Sequence, residues 1–243
     1  MQNSPQKLRA PSIRSASEEW VGEHEPDSVP STAVSAFVLA GGESSRMGSD
    51  KALIELAGQP LIARALAALR DAGFEPMIAG ARSDLSEFAQ VIPDSAPGLG
   101  PLSGICAALE STSARFSVFM PVDLPLLPPS LIASLTHRAQ IASSAVTLAS
   151  ICGVANTFPA VVDGALLEAL KSELGAGRRG CMAAFQTAAA ALGRQISVIP
   201  IEFLAQSGHV SHARGFPPAF WFWNANTPED VARVAGYFSP QIA

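Results

Sequence analysis

Cysteine is scarce in this chain, and the three present, Cys106, Cys152 and Cys181, lie far apart. An odd, scattered set builds no disulfide framework, and there is no Cys-x-x-Cys pair to clip a metal. They read as free thiols in a reducing compartment. Positive charge is also in short supply: 16 Lys and Arg stand against 21 Asp and Glu, a formal net charge of −5. A general nucleic-acid binder shows the opposite balance, so no nucleic-acid partner is expected. Any anionic ligand must then be held by a local basic site. No apolar run is long enough to span a bilayer, and Met1 to Ala10 contains no apolar signal-peptide core. The expectation is a cytoplasmic protein with no membrane partner.

Core-forming material is abundant: 48% of the 243 residues are hydrophobic and 15% are charged. That suffices for one large α/β domain with a sizeable core. Residues 1–33 differ. They are rich in Ser, Pro, Glu and Gln and poor in large apolar side chains. Such a composition buries too little surface to offset the entropy of ordering, so a flexible extension is expected there and a domain over residues 34–243.

From Val34 onward strand-like and helical patterns alternate. Strands are expected at residues 36–40, 76–79, 90–92, 117–121, 145–149, 160–162, 197–201 and 219–223. Helices are expected at 61–72, with Gly73 as C-cap, and at 85–89, 101–109, 129–139, 166–174, 181–192 and 228–238. This alternation predicts an α/β fold with a mostly parallel sheet covered on both faces. In such sheets ligands sit outside the carboxyl ends of the strands.

One stretch stands out: Val38-Leu-Ala-Gly-Gly-Glu-Ser-Ser-Arg-Met-Gly-Ser-Asp-Lys51. Gly41 and Gly42 let the backbone approach a ligand and aim N–H groups at phosphate oxygens, or they simply shape a turn. Arg46 can fork onto two oxygens, and Lys51 can act as a point charge on another. The spacing is neither that of the Rossmann glycines nor that of a P-loop. Asp123 follows an apolar run and precedes Leu-Pro-Leu-Leu-Pro-Pro. A carboxylate there can ligate magnesium beside phosphate and water, or brace the turn. Asp94 is either a ligand contact or a turn residue before Pro97-Gly98. Gly98, Gly100 and Gly104 permit close approach or make a loop-to-helix turn. Thr227, Pro228 and Asp230 have capping-box spacing, which leaves Asn224 and Asn226 unexplained. Arg178 and Arg179 form a basic pair between Gly177 and Gly180, by default a solvated patch. His209 and His212 lack neighbouring metal ligands.

The segment Leu39-Ala-Gly-Gly-x-Ser-x-Arg-Met-Gly-x-Asp-Lys51 closely resembles the signature loop of nucleotidyltransferases with a Rossmann-like fold. Within them it is most similar to the molybdenum cofactor guanylyltransferases. Further matches follow in order: Pro93-Asp94, Gly100-Pro-Leu-Ser-Gly104, Asp123-Leu-Pro-Leu-Leu-Pro-Pro129, Phe158-Pro-Ala and Asn224-Ala-Asn-Thr-Pro-Glu-Asp230. Together they cover about residues 34 to 238. The resemblance implies a single Rossmann-like, three-layer α/β/α domain. It implies GMP transfer from magnesium-GTP to the terminal phosphate of molybdopterin, with pyrophosphate released. Asp123 would then bind Mg2+, with Asn226 as a neutral oxygen donor. Leu39, Ala40, Gly41, Gly42, Lys51, Asp94, Gly100, Pro101 and Asp123 would contact the nucleotide, and Arg46, Lys51 and Asp123 would act in catalysis. Asn224, Arg178 and Arg179 would lie on the acceptor side, where an aromatic of Trp221-Phe-Trp223 could touch the pterin. Proteins of molybdoenzyme maturation are the implied partners beyond GTP and molybdopterin.

One departure bears on the base. The similar guanylyltransferases carry an Asn after the second strand that helps read it, whereas Ile78-Ala-Gly-Ala-Arg-Ser83 has none. A cytidylyltransferase acting on the same pterin therefore stays open, and more distantly a sugar or lactyl-phosphate nucleotidyltransferase. A non-catalytic nucleotide-binding assembly protein would need to have lost a key group, yet Arg46, Lys51 and Asp123 are all present.

Overall fold

The computed structural model describes residues 34–41, 50–94 and 98–238. A small hairpin, β2 (Glu55–Leu56) and β3 (Gln59–Pro60), follows β1 (Val34–Leu39). The remaining strands are β4 (Pro76–Ala79), β5 (Val91–Ile92), β6 (Phe116–Pro121), β7 (Val146–Ile151), β8 (Val154–Asp163) and β9 (Ile196–Pro200). They join β1 in one seven-stranded sheet of order β5-β4-β1-β6-β8-β7-β9. Neighbours pair in parallel from β5 through β6, as do β7 and β9. Only β8 runs antiparallel, between β6 and β7. The sheet is mostly parallel, as the alternation of elements required.

The period-2 alternation of each strand sorts its side chains between two cores. Ala36 and Val38 of β1, with Val118 and Met120 of β6, face one way. They pack with α1 (Leu61–Asp71), α3 (Pro129–Ala142) and α6 (Ile201–Gln206), and with Trp221 of α7 (Pro218–Trp221) and Val234 of α8 (Pro228–Gly236). Phe37, Leu39 and Phe119 face the other way, against α2 (Pro101–Glu110), α4 (Leu167–Gly175) and α5 (Cys181–Ala191). Phe37 and Phe119 stack at 5.4 Å on neighbouring strands. Two helical layers therefore sandwich the sheet. α1 shows the cause at the level of one helix: Leu61, Ile62, Ala65, Leu66 and Leu69 recur at helical spacing and are all buried. Gly73, at φ 93°, turns the chain out of that helix.

Four expectations are corrected. Residues 219–223 form no strand. Pro217 and Pro218 open the short helix α7 instead, and buried Trp221 donates its indole N–H to the Phe216 carbonyl at 2.8 Å. The expected helix at 85–89 is a single 3-10 turn at Ser83–Leu85. The expected strand at 160–162 is the far end of the ten-residue β8. Its partner β7 leads into it through Cys152 and Gly153, both at positive φ as a two-residue hairpin turn requires. The late strand stops at Pro200, and Ile201 begins α6. Residues 1–33, Gly42 and Arg46 lie outside the described residues.

Asp163, at the end of β8, is 3% exposed but well supplied with donors. Arg194 Nη2 donates at 2.8 Å, the Ala165 N–H at 2.9 Å and Arg115 Nε at 3.4 Å. Burial alone would raise this carboxyl, but the donors outweigh it and hold the carboxyl below its ordinary range. Its contribution to stability is complete above the unfolded pKa of about 3.9 and is lost as pH falls through the lower native value. Asp163→Asn is expected to destabilise by about 1–3 kcal/mol, read as a lower urea midpoint at pH 7. The loss should shrink on acidification; an unchanged midpoint at pH 7 contradicts the assignment.

Candidate active site

The carboxyl ends of β1 and β6 lie side by side, with Leu39 opposite Pro121. Beyond them opens a cavity of about 380 Å³. Leu39, Gly41 and Lys51 line it from the β1 side, Pro101 from the start of α2, and Pro121 to Leu124 from the loop after β6. Asn156, Thr157 and Phe158 of β8 line it too, as do Phe222 and Asn224 before α8.

Lys51 and Asp123 meet at its mouth. Lys51 opens a 3-10 turn (Lys51–Leu53) capped by Asp50, whose Oδ1 accepts the Ala52 N–H at 3.0 Å. Its ammonium donates to Asp123 Oδ2 at 2.7 Å and also to Asn226 Oδ1. Each member of the ion pair is about one-fifth exposed, 20% and 18%. The other carboxylate oxygen, Asp123 Oδ1, is buried and accepts no hydrogen bond from any described residue. The Asp123 carbonyl accepts the Ala225 N–H at 2.9 Å, which fastens the β6 loop to the Asn224–Asn226 segment. That segment is set in turn by α8. Thr227 and Asp230 form the reciprocal capping box, and Asp230 Oδ2 also accepts the Asn226 N–H at 3.3 Å.

Asp94 follows β5 and reaches back toward the β1 loop. A Cβ on Gly41 would lie 3.6 Å from Asp94 Oδ2, and one on Gly104, in α2, 3.1 Å from Oδ1. A side chain at Gly104 would crowd the carboxylate, whereas one at Gly41 would only touch it. Burial pushes the Asp94 carboxyl above its ordinary range, and its Oδ1 has no partner among the described residues. Gly80 bears on the same junction: a Cβ there would fall 2.8 Å from the Gly41 nitrogen, with φ at +148°. Only glycine lets β4 exit this close to the Gly41 backbone.

The structure thus brings Leu39, Ala40, Gly41, Lys51, Asp94, Gly100, Pro101, Asp123, Asn224 and Asn226 to one end of the sheet. Arg178 and Arg179 do not line the cavity. Arg178 pairs with Glu173 at 2.8 Å, and the Arg179 backbone passes beside Gly100. Sequence reasoning missed two contributors. Arg82, after β4, donates from Nη1 to Asp50 Oδ1 at 3.0 Å and from Nη2 to Asp50 Oδ2, and it grips Asp84 as well. The Asp84 hydrogen bond leads the interactions that hold the Arg82 guanidinium above its ordinary pKa. It thereby anchors the residue next to Lys51. The Asn156-Thr157-Phe158 wall was legible only as the Phe158-Pro159 motif.

Residues 36–192 match the MobA-like NTP transferase domain. The molybdenum cofactor guanylyltransferase of Rhizobium meliloti is 32% identical over 216 residues, which cover 83% of this chain and 90% of that protein. The molybdenum cofactor guanylyltransferase of Xanthomonas euvesicatoria pv. vesicatoria is 42% identical over 105 residues, 42% of this chain and 53% of that protein. In that case the match spans about half the relative's length. Among solved structures, molybdopterin-guanine dinucleotide biosynthesis protein A from Archaeoglobus fulgidus has a TM-score of 0.67 at 22% identity, covering 83% of this chain and 97% of its own. The last likeness concerns the fold. With a family match over most of its length and a full-length relative above the identity at which families are shared, the chain belongs to the MobA-like NTP transferase family and is a nucleotidyltransferase.

Proposed function

We propose that this nucleotidyltransferase moves GMP from magnesium-GTP to the terminal phosphate of molybdopterin, releasing pyrophosphate and forming the guanine dinucleotide cofactor. The observation that carries the proposal is the Lys51–Asp123 pair, 2.7 Å apart at the cavity mouth, with one carboxylate oxygen left without a partner. The names of the Rhizobium and Xanthomonas relatives support the choice of substrates. A cytoplasmic site of action and hand-over to molybdoenzyme-maturation proteins belong to the same reading. Among the described residues no helix is long and apolar enough to cross a membrane.

The donor set fits magnesium. Asp123 Oδ1 is unpartnered, and the amide oxygens of Asn224 and Asn226 are hard, neutral donors nearby. No group of three His, Cys, Asp or Glu gathers among the described residues, so most ligands must be phosphate oxygens and water, as magnesium prefers. Asp123 would hold the ion, with Asn226 as its neutral partner. Held there, magnesium would supply positive charge to offset the negative charge developing on the leaving oxygen.

The chain's own groups do the rest. Gly41 and Gly42 would present backbone N–H donors to phosphate, Arg46 a guanidinium fork and Lys51 a point charge. Asp94 keeps an oxygen free for a nucleotide hydroxyl. An oxygen of the acceptor phosphate forms the new bond to the α-phosphorus. The bond to pyrophosphate breaks, and its electron pair leaves with pyrophosphate. An acceptor that is already anionic needs no strong base, so catalysis rests on position and charge.

Three measurements test this. With molybdopterin present, pyrophosphate release is expected from GTP in preference to CTP, ATP and UTP. Arg82 is occupied by Asp50 and Asp84, so base reading falls to backbone groups, and a preference for CTP would move the chain to cytidylyl transfer. Asp123→Ala is expected to abolish turnover while the circular dichroism spectrum stays native; retained turnover removes the metal assignment. Lys51→Ala is expected to lower kcat/KM for GTP by about 10²–10³, the scale for one lost charge-stabilising donor. Normal GTP kinetics would contradict its role.

A further inference from the structure

The cavity must take two ligands, and the sheet order divides it between them. β6 lies between β1 and β8, so Asp123 has the phosphate loop on one flank and β8 on the other. The nucleotide groups of the proposed reaction occupy the β1 flank. On the β8 flank the ladder is broken. Leu148 pairs with Ala160, but the next residue, Ala149, pairs with Asn156. Thr157, Phe158 and Pro159 are looped out of register there, where the pairing of β6 with β8 ends at Phe119 and Ala160. Irregularities of this kind re-aim side chains and gather beside active sites. Here they turn Asn156, Thr157 and Phe158 toward the cavity.

Asn156 carries the second observation. The residue is half-buried, and its Nδ2 is fully buried with no hydrogen-bond partner among the described residues. A buried N–H donor without a partner is unfavourable in the free protein. Local structure gains nothing from it, so its use lies with what fills the cavity. The rings of Phe158 and Phe222 line the same space. A side-chain amide both donates and accepts, which matches a lactam edge with a carbonyl beside a ring N–H. Aromatic walls suit the flat face of such a ring.

We propose that Asn156, with Phe158, forms the acceptor subsite and reads the hydrogen-bonding edge of a flat, lactam-bearing heterocycle whose phosphate reaches Asp123. This rests on the guanylyl-transfer reading for the identity of that heterocycle as the pterin of molybdopterin. Asn156 is a specificity residue that contacts the acceptor and not the nucleotide.

The test uses the full chain with Asn156→Leu, which keeps the branched shape without the hydrogen-bonding groups, and Asn156→Ala. Molybdopterin binding is followed by its fluorescence, magnesium-GTP binding by calorimetry, and stability by thermal unfolding. The molybdopterin dissociation constant is expected to rise about tenfold or more in both variants. Magnesium-GTP affinity should be unchanged, and the Leu variant should be as stable as the wild type or more so, because a buried N–H donor without a partner has been removed. Unchanged molybdopterin affinity overturns the proposal, as does a loss of magnesium-GTP affinity. A wild type that binds molybdopterin but never releases pyrophosphate refutes the transfer reaction alone, and the binding constants still decide the role of Asn156. A wild type that does not bind molybdopterin overturns both.

Discussion

The ammonium of Lys51 and the carboxylate of Asp123 come from opposite sides of the cavity mouth, and the rest of the site is arranged to bring them together. Each is fixed by its own restraints. Lys51 sits on a turn capped by Asp50, and Asp50 is gripped by Arg82 from the loop after β4. Asp123 is tied through its carbonyl to Ala225, and hence to the capped start of α8. Four separate parts of the chain thus converge on one ion pair. Partly exposed, such a pair contributes little to stability. Its consequence is electrostatic: in an acidic protein it places a cation beside a carboxylate that has a buried, unused oxygen.

The parallel part of the sheet makes this convergence possible. Parallel strands present their carboxyl ends at one edge, so the β1 loop, Asp94 after β5 and Asp123 after β6 share one side of the molecule. The antiparallel β8 brings its early residues to that same edge. A nucleotide flank and an acceptor flank, on either side of Asp123, follow from strand order under the proposed reaction.

The parallel core was legible in the sequence because both of its faces are buried. β1 and β6 read as apolar runs from Ala36 and Val118 onward, and α1 as a clear helical stripe. β8 was not legible over its first half, where Val154 and Ala155 are exposed and the apolar pattern fades. The aromatic run at 219–223 has strand propensity, but two prolines and the indole hydrogen bond of Trp221 make it helical. At the site, the Gly-rich loop after β1 and the Asp123 stretch were visible as motifs. Arg82 was not, because its significance depends on Asp50, 32 residues away. Asn156 was invisible for a similar reason: its environment comes from a break in strand pairing that leaves no local mark. Arg178 shows the reverse, a conspicuous charge that is engaged by its neighbour Glu173.

Under the proposed reaction, Lys51 and the metal share the Asp123 carboxylate, from its two different oxygens, and both call on Asn226 Oδ1, so they compete until nucleotide phosphates draw the ammonium away. A manganese titration followed by electron paramagnetic resonance, with and without GTP, tests this most directly. The wild type should bind manganese weakly alone and more tightly with GTP. Lys51→Met should bind manganese alone more tightly than the wild type, and Asp123→Ala should not bind it at all. Manganese affinity that is indifferent to both substitutions would contradict the account.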